Sequence, residues 1–114
     1  MKSKTGISSS QRTIIEQPTL VGAAIDQLEA VGPTLGRPVV DRIKGSRHHN
    51  MKELRPGSAG STEIRILFAF DPIRQAILLV AGDKSGSWKD WYTTAIPIAD
   101  DRYDTHLETL EGER

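Results

Sequence analysis

Arg65 lies in the segment Glu63-Ile64-Arg65-Ile66-Leu67-Phe68, where side chains alternate as they do on a strand. Arg65 then projects to the side opposite Ile64 and Ile66. A long cation on the open face of a sheet, near other cations, suits a phosphate, because its fork of N–H donors matches the anion's oxygens. Lys52 and Arg55 are expected on a neighbouring strand, and Lys84 in the loop that ends the next one. The competing reading is a surface arginine paired with Glu63 or Glu53, the commoner fate of a strand arginine. His48-His49 adds side chains that titrate near neutral pH and can act as acid or base; they can equally be idle loop residues. Trp88, Trp91 and Tyr92 supply rings beside these cations, and exposed rings stack on unpaired bases. One tryptophan is expected to pack the local helix on the sheet, which leaves Tyr92 as the better candidate for contact with RNA.

Other chemistries find less support. The chain contains no cysteine, which removes disulfides, thiolate metal sites and a cysteine nucleophile. His48, His49 and His106 have no carboxylate or cysteine at ligand spacing, so neither a metal nor any other cofactor is expected. The two glycine-rich stretches, Gly57-Ser58-Ala59-Gly60 and Gly82-Asp83-Lys84-Ser85-Gly86, lack the spacing and lysine position of a P-loop. No apolar run approaches the roughly 18 residues that span a bilayer, and no apolar stretch follows Lys2 and Lys4 as a secretory signal requires. The expectation is a cytoplasmic protein without membrane contact.

The net charge is zero, but it is unevenly spread. Residues 37 to 92 carry ten Lys/Arg against six acids, and residues 93 to 114 carry two against six. A basic working face beside an acidic tail is compatible with this distribution, although charge alone does not decide it.

The elements that must hold these residues fit one domain of 114 residues. Residues 1–17 are Ser-rich and read as a poorly ordered or irregular segment. The domain proper is expected over 18–110, with a tail at 111–114. Pro18 suits a first helical turn, and Leu20, Val21, Ala24, Ile25, Leu28 and Val31 recur at helical spacing. Gly32-Pro33 closes that helix. Thr34 to Asn50 reads as a loop, with at most one helical turn around Val39 to Ile43. Met51–Arg55 reads as a short strand and Pro56–Ser61 as a turn. Thr62–Asp71 and Gln75–Ala81 form a hairpin, its second strand apolar enough to be central. Ser87 can cap a short helix carrying Trp88, Trp91 and Tyr92, and Pro97 can start a second, amphipathic one through Leu110. The result is an α+β domain: a small antiparallel sheet packed with N-terminal and C-terminal helices.

Four ordered segments carry a resemblance: Ile43-Lys44-Gly45-Ser46-Arg47; Met51-Lys52-Glu53-Leu54-Arg55-Pro56-Gly57-Ser58; Glu63-Ile64-Arg65-Ile66-Leu67-Phe68-Ala69-Phe70-Asp71-Pro72; and Ala81-Gly82-Asp83-Lys84-Ser85-Gly86-Ser87-Trp88-Lys89-Asp90-Trp91-Tyr92. Together, from about Leu20 to Leu107, they resemble the phage-derived HigB-like branch of the RelE/HigB superfamily, toxins of type II toxin–antitoxin systems. The resemblance implies a microbial-ribonuclease-like fold and a ribosome-dependent mRNA endonuclease that inhibits translation without a metal. A ribose 2′-hydroxyl would attack the adjacent phosphate in line. Arg65 would stabilise that phosphate and Lys84 help hold it, with Tyr92 stacking or moving a proton and His49 a further candidate for proton transfer. Lys52, Arg55, Arg47, Lys44, Trp91 and Lys89 would contact the RNA. The implied partners are the ribosome, its mRNA and a cognate antitoxin of helix-turn-helix type, to which any sequence-specific DNA binding would belong. The edge strand that opens such folds is not evident, unless something irregular around Thr13 to Glu16 replaces it. The C-terminal histidine, aspartate and tyrosine cluster of some relatives is not evident either, so the general acid and base stay open. Alternatives on the same fold are a non-catalytic or decayed antitoxin-binding module and a ParE-like gyrase inhibitor.

Overall fold

The computed structural model describes residues 3–4, 20–57 and 62–113. Pro18, the segment Thr13–Glu16 and the turn residues 58–61 lie outside them. The described elements are β1 (Ser3–Lys4), α1 (Leu20–Val31), a 3₁₀ turn (Gly32–Thr34), β2 (Val40–Arg42), β3 (Lys52–Leu54), β4 (Ile64–Phe70), β5 (Ala76–Asp83) and α2 (Trp88–Gly112). The sheet runs β1-β5-β4-β3-β2. Its four longer strands are antiparallel, and β1 joins the far edge as a parallel pair, Ser3 beside Ala76 and Lys4 beside Ile77. This is an α+β domain, as the hydrophobic periodicity requires. No helix among the described residues is long and apolar enough to cross a membrane.

Each face of the sheet carries its own core. Alternation along β4 sends Ile66 and Phe68 to one face, where they meet Ala24, Ile25 and Leu28 of α1 together with Val40, Leu54 and Ala76. Leu67 and Ala69 point to the other face and meet Ala95, Ala99 and Tyr103 of α2, with Met51, Ile77 and Leu79. Because helices cover both faces, β4 is buried along nearly its whole length. The hairpin turn is built by Asp71, whose Oδ1 accepts the N–H groups of Ile73 (3.1 Å) and Gln75 (2.8 Å). Its Oδ2 lies 2.8 Å from His106 Nε2, which ties the turn to the far end of α2.

Four expectations are corrected. Residues 40–42 form a strand, not a loop or helical turn: they pair antiparallel with β3, Val40 opposite Leu54. The flanking Gly36, Pro38 and Gly45 hide so short a strand, which its neighbour specifies more than its own composition does. Strand β5 is internal, between β1 and β4, but it is not buried on both faces throughout: it turns exposed toward its end, and the strand buried along nearly its whole length is β4. An edge strand is present at Ser3–Lys4. Finally, α2 is one helix of 25 residues with Pro97 inside it, not two helices. Pro97 is exposed, so the carbonyl that loses its N–H partner faces water, and the buried stripe Ala95, Ala99, Tyr103 continues through it at intervals of four.

Phe68 is fully buried and Ile73, in the hairpin turn, is 60% exposed. Phe68→Ala is expected to cost about 3–5 kcal/mol, whereas Ile73→Ala should stay within about 0.5 kcal/mol of wild type. Urea midpoints at unchanged slope measure both.

Candidate functional site

Where the first two turns of α2 rise over the end of the sheet, an open cleft of about 470 Å³ is lined by Arg42, Ile43, Lys44, Glu53, Lys84, Trp88, Tyr92 and Ile96. Its residues come from β2 and the chain just after it, from β3, from the loop after β5 and from one face of α2. Tyr92, Ile96 and Trp88 share that face because they recur every four residues. The helix can sit this close because Gly82 has no side chain: a Cβ there would fall on the indole of Trp91. Trp91 also packs edge-to-face on Tyr92, ring centroids 5.0 Å apart.

The floor of the cleft is a buried polar network. Tyr92 donates its hydroxyl proton to Glu53 Oε1 at 2.5 Å. The same oxygen lies 3.5 Å from Nε of Arg65, whose side chain is only 10% exposed. Arg65 donates through Nη1 to its neighbour's carbonyl, Ile64 O, at 2.8 Å, and Nη2 lies 4.0 Å from Glu63. Its Nε faces Glu53 at ion-pair distance but without the alignment of a hydrogen bond, and it has no such partner among the described residues. Burial, and then the Glu53 hydrogen bond, push the Tyr92 phenol well above its ordinary value of 10, so at neutral pH it is a proton donor.

The loop after β5 is held by Asp83, whose Oδ1 accepts the N–H groups of Glu63 (3.0 Å) and Ser85 (2.9 Å); these bonds hold its carboxyl below its ordinary value. Lys84 N–H donates to Glu63 O at 3.0 Å. These bonds lay the Lys84 ammonium 5.4 Å from the centre of the Tyr92 ring and 4.0 Å from Glu63 Oε2. Trp88 stays 54% exposed at the rim, with Lys89 Nζ 5.7 Å from its ring centre.

Of the residues singled out in the sequence, Lys84, Tyr92 and Lys44 line the cleft, Arg65 lies beneath it and Lys89 borders it. Trp91 is the packing tryptophan. Arg65 is not on an open face: α2 covers it, and Glu53 and Glu63 are its partners. Arg55 pairs with Asp41 at 3.5 Å. Lys52 is on the opposite face, where Nζ donates to Pro33 O at 3.3 Å. Arg47 and His49 are in the loop that packs farther along α2. His48 there lies 2.7 Å from Asp104, which is roughly 18 Å along the helix from Tyr92. Glu53, Arg42 and Ile96 were not foreseen as site residues. Glu53 was legible as a charged residue on an apolar strand and as a partner for Arg65, but not as the floor of a cleft. Among the described residues no group of three or more His, Asp and Glu is placed to hold a metal ion.

Two pH dependences follow. The Tyr92 phenolate is disfavoured only in the folded state. Tyr92 should therefore add no phenolate absorbance at pH 10, measured as the wild-type minus Tyr92→Phe difference near 295 nm, and the stability it contributes should fall as pH rises above about 10. Tyr92→Phe should itself cost about 1–3 kcal/mol, because a buried carboxylate loses its donor. At the acid end, Asp83 and Asp104 are both held below the carboxylate reference of 3.8, Asp83 by the backbone N–H of Glu63 and then of Ser85, Asp104 by Arg47 and then His48. Their contribution is present above that value and lost as pH falls below it. The melting temperature of wild type should accordingly drop more steeply there than that of the Asp83→Asn/Asp104→Asn double variant.

Residues 15–104 match the family described as phage-derived protein Gp49-like (DUF891). Over 92 residues, 81% of the chain, the sequence is 60% identical to HigB2 of Mycobacterium tuberculosis and 62% identical to HigB3 of the same organism, both described as candidate toxins. The matched stretch covers 46% of HigB2 and 78% of HigB3, so the chain spans about half the length of the first of these relatives. No solved structure matches it. The family match covers most of the chain, and it agrees with the motifs at Met51–Ser58, Glu63–Pro72 and Ala81–Tyr92: the chain belongs to the Gp49-like family of phage-derived proteins and is a HigB-like member of it.

Proposed function

We propose that this chain is the toxin of a type II toxin–antitoxin pair, a ribosome-dependent endonuclease that cuts mRNA and is neutralised by a cognate antitoxin. The observation that carries the reading is the cleft itself. Two cations, Lys44 and Lys84, line it beside a carboxylate–phenol pair, and an exposed indole stands at the rim. A chain of alternating phosphates and bases needs those components: cations for the phosphates and a ring for a base.

The chemistry follows from the protonation states. A 2′-hydroxyl attacks the adjacent phosphorus, its proton goes to an acceptor, and the 5′ oxygen leaves with a proton from a donor, giving a 2′,3′-cyclic phosphate and a free 5′-hydroxyl. Glu53 is the acceptor at the cleft floor, and Arg65 stands behind it as counter-charge. Tyr92 is the donor, its phenol kept protonated by burial and by Glu53. Lys84, with Lys44, neutralises the charge that grows on the phosphoryl oxygens. In this assignment Arg65 acts through Glu53, since its guanidinium is covered and already faces carboxylates. His49, Lys52 and Arg47 have no part in the chemistry, because they sit outside the cleft.

Induction of the wild-type chain in a bacterial host should arrest growth and produce new mRNA 5′ ends within translated frames. Lys84→Ala should lower cleavage on the order of 10²-fold, the usual loss when one transition-state charge partner is removed, with the melting temperature little changed. Glu53→Gln and Tyr92→Phe should abolish the cuts more completely. Growth arrest without internal cuts, unchanged by all three substitutions, would reject the nuclease and favour a toxin that acts by binding alone. Arg65→Ala is a poor probe by itself, because it leaves Glu53 buried without its counter-charge, at about 3–5 kcal/mol.

A further inference from the structure

Asp100 stands one turn beyond Ile96 on α2 and is almost fully buried, yet its carboxylate belongs neither to the apolar stripe of the helix nor to the cleft floor. It is directed at the chain that links β2 to β3. Oδ1 accepts the hydroxyl of Ser46 at 2.5 Å, and Oδ2 accepts the backbone N–H of Arg47 at 3.0 Å. Two further carboxylates of the same helix complete the clasp. Arg47 Nη2 reaches Asp101 at 3.0 Å and Asp104 at 2.5 Å. His48 donates its backbone N–H to Ser46 Oγ at 2.9 Å. Gly45 makes the bend with φ of +94°, and the place its Cβ would take is 4.0 Å from the Ile96 side chain.

The residues just before this clasp, Arg42, Ile43 and Lys44, line the cleft. Strand β2 is three residues long and lies at the edge of the sheet. Beyond it Ile43 is still tied down, by its N–H to Met51 O at 3.3 Å and by packing on the α2-side core, but the strand pairs do not extend to Lys44. Buried hydrogen bonds to a carboxylate can hold the chain there, since each is short, directional and costly to leave unmade. We infer that Asp100 is a positioning residue for the cationic side of the cleft: by fixing Ser46 and Arg47 to α2 it sets where Lys44 stands relative to Lys84 and Tyr92. The inference rests on the reading of the cleft as an RNA site. It differs from a purely structural role in that loss of Asp100 should remove the contribution of Lys44 to RNA binding, beyond any loss of stability.

The test is a double-mutant cycle read through salt dependence. Binding of a fluorescein-labelled oligouridylate of about ten nucleotides to the full chain is followed against salt for wild type, Lys44→Ala, Asp100→Asn and the double variant. Removing one cation from a phosphate of a single strand lowers the slope of log K against log salt by about 0.7. Lys44→Ala should lower it by about that amount and Asp100→Asn by about as much, with the double variant no different from Asp100→Asn alone. Ser46→Ala removes one of the two bonds without leaving a charge unpaired, and it should shift the slope in the same direction even if Asp100→Asn folds poorly. Hydrogen exchange over residues 43–48 should rise in both variants, with protection across Ile64–Phe70 kept. If the effects of Lys44→Ala and Asp100→Asn simply add, or exchange over 43–48 is unchanged, the inference fails and the RNA reading stands. A wild-type chain whose binding shows no salt dependence would overturn both.

Discussion

A guanidinium beneath a helix is costly to desolvate, by several kcal/mol, unless a counter-charge and hydrogen bonds are supplied in place. Arg65 is in that position because β4 is the central strand: with helices on both faces, no side chain of that strand reaches open solvent except at its ends. Glu53 on β3 answers the charge, and Tyr92 on α2 answers the second demand of Glu53. The floor of the cleft is thus a consequence of burying one cation in a two-faced sheet. The network is also incomplete, since the Nε of Arg65 is left without an aligned acceptor among the described residues. That half-satisfied group lies beside the cleft rather than in either apolar core.

The second helix performs three tasks at different heights. Its first turns carry Trp88 and Tyr92 to the cleft, its middle fills the core with Ala95 and Ala99, and its later turns present Asp100, Asp101 and Asp104 to the loop and His106 to the hairpin turn. These tasks are coupled because the helix is unbroken. A shift of α2 along the sheet would displace the Tyr92 hydroxyl from Glu53 and release the loop that holds Lys44. The acidic C-terminal half, which in sequence looks like a tail without basic partners, is where Arg47 and His48 are held. Part of the charge asymmetry therefore encodes intramolecular pairing rather than a free acidic surface, and what remains of the basic excess includes the cations around the cleft and its rim.

The first helix, the hairpin and the α+β class were legible because they follow from local rules: apolar spacing of 3.6 or 2, glycine at a helix end, and a tight turn between two apolar runs. The family, too, was legible in the order of four motifs. What local rules do not contain is which surfaces meet. Residues 40–42 are a strand only because β3 offers them a ladder, and Pro97 sits inside a helix because the buried stripe on either side outweighs one lost hydrogen bond on the wet side. The fate of a strand cation likewise depends on what covers its face: Arg65 and Lys52 look alike in sequence, yet one lies under α2 against a carboxylate and the other reaches a carbonyl on the opposite side. Apolar spacing and turn residues determined that this chain folds as an α+β domain, and the ordered motifs carried its family resemblance. Only the tertiary structure decided which cations share a cleft, because that depends on where one helix lies, a long-range packing outcome that no stretch of neighbouring residues specifies.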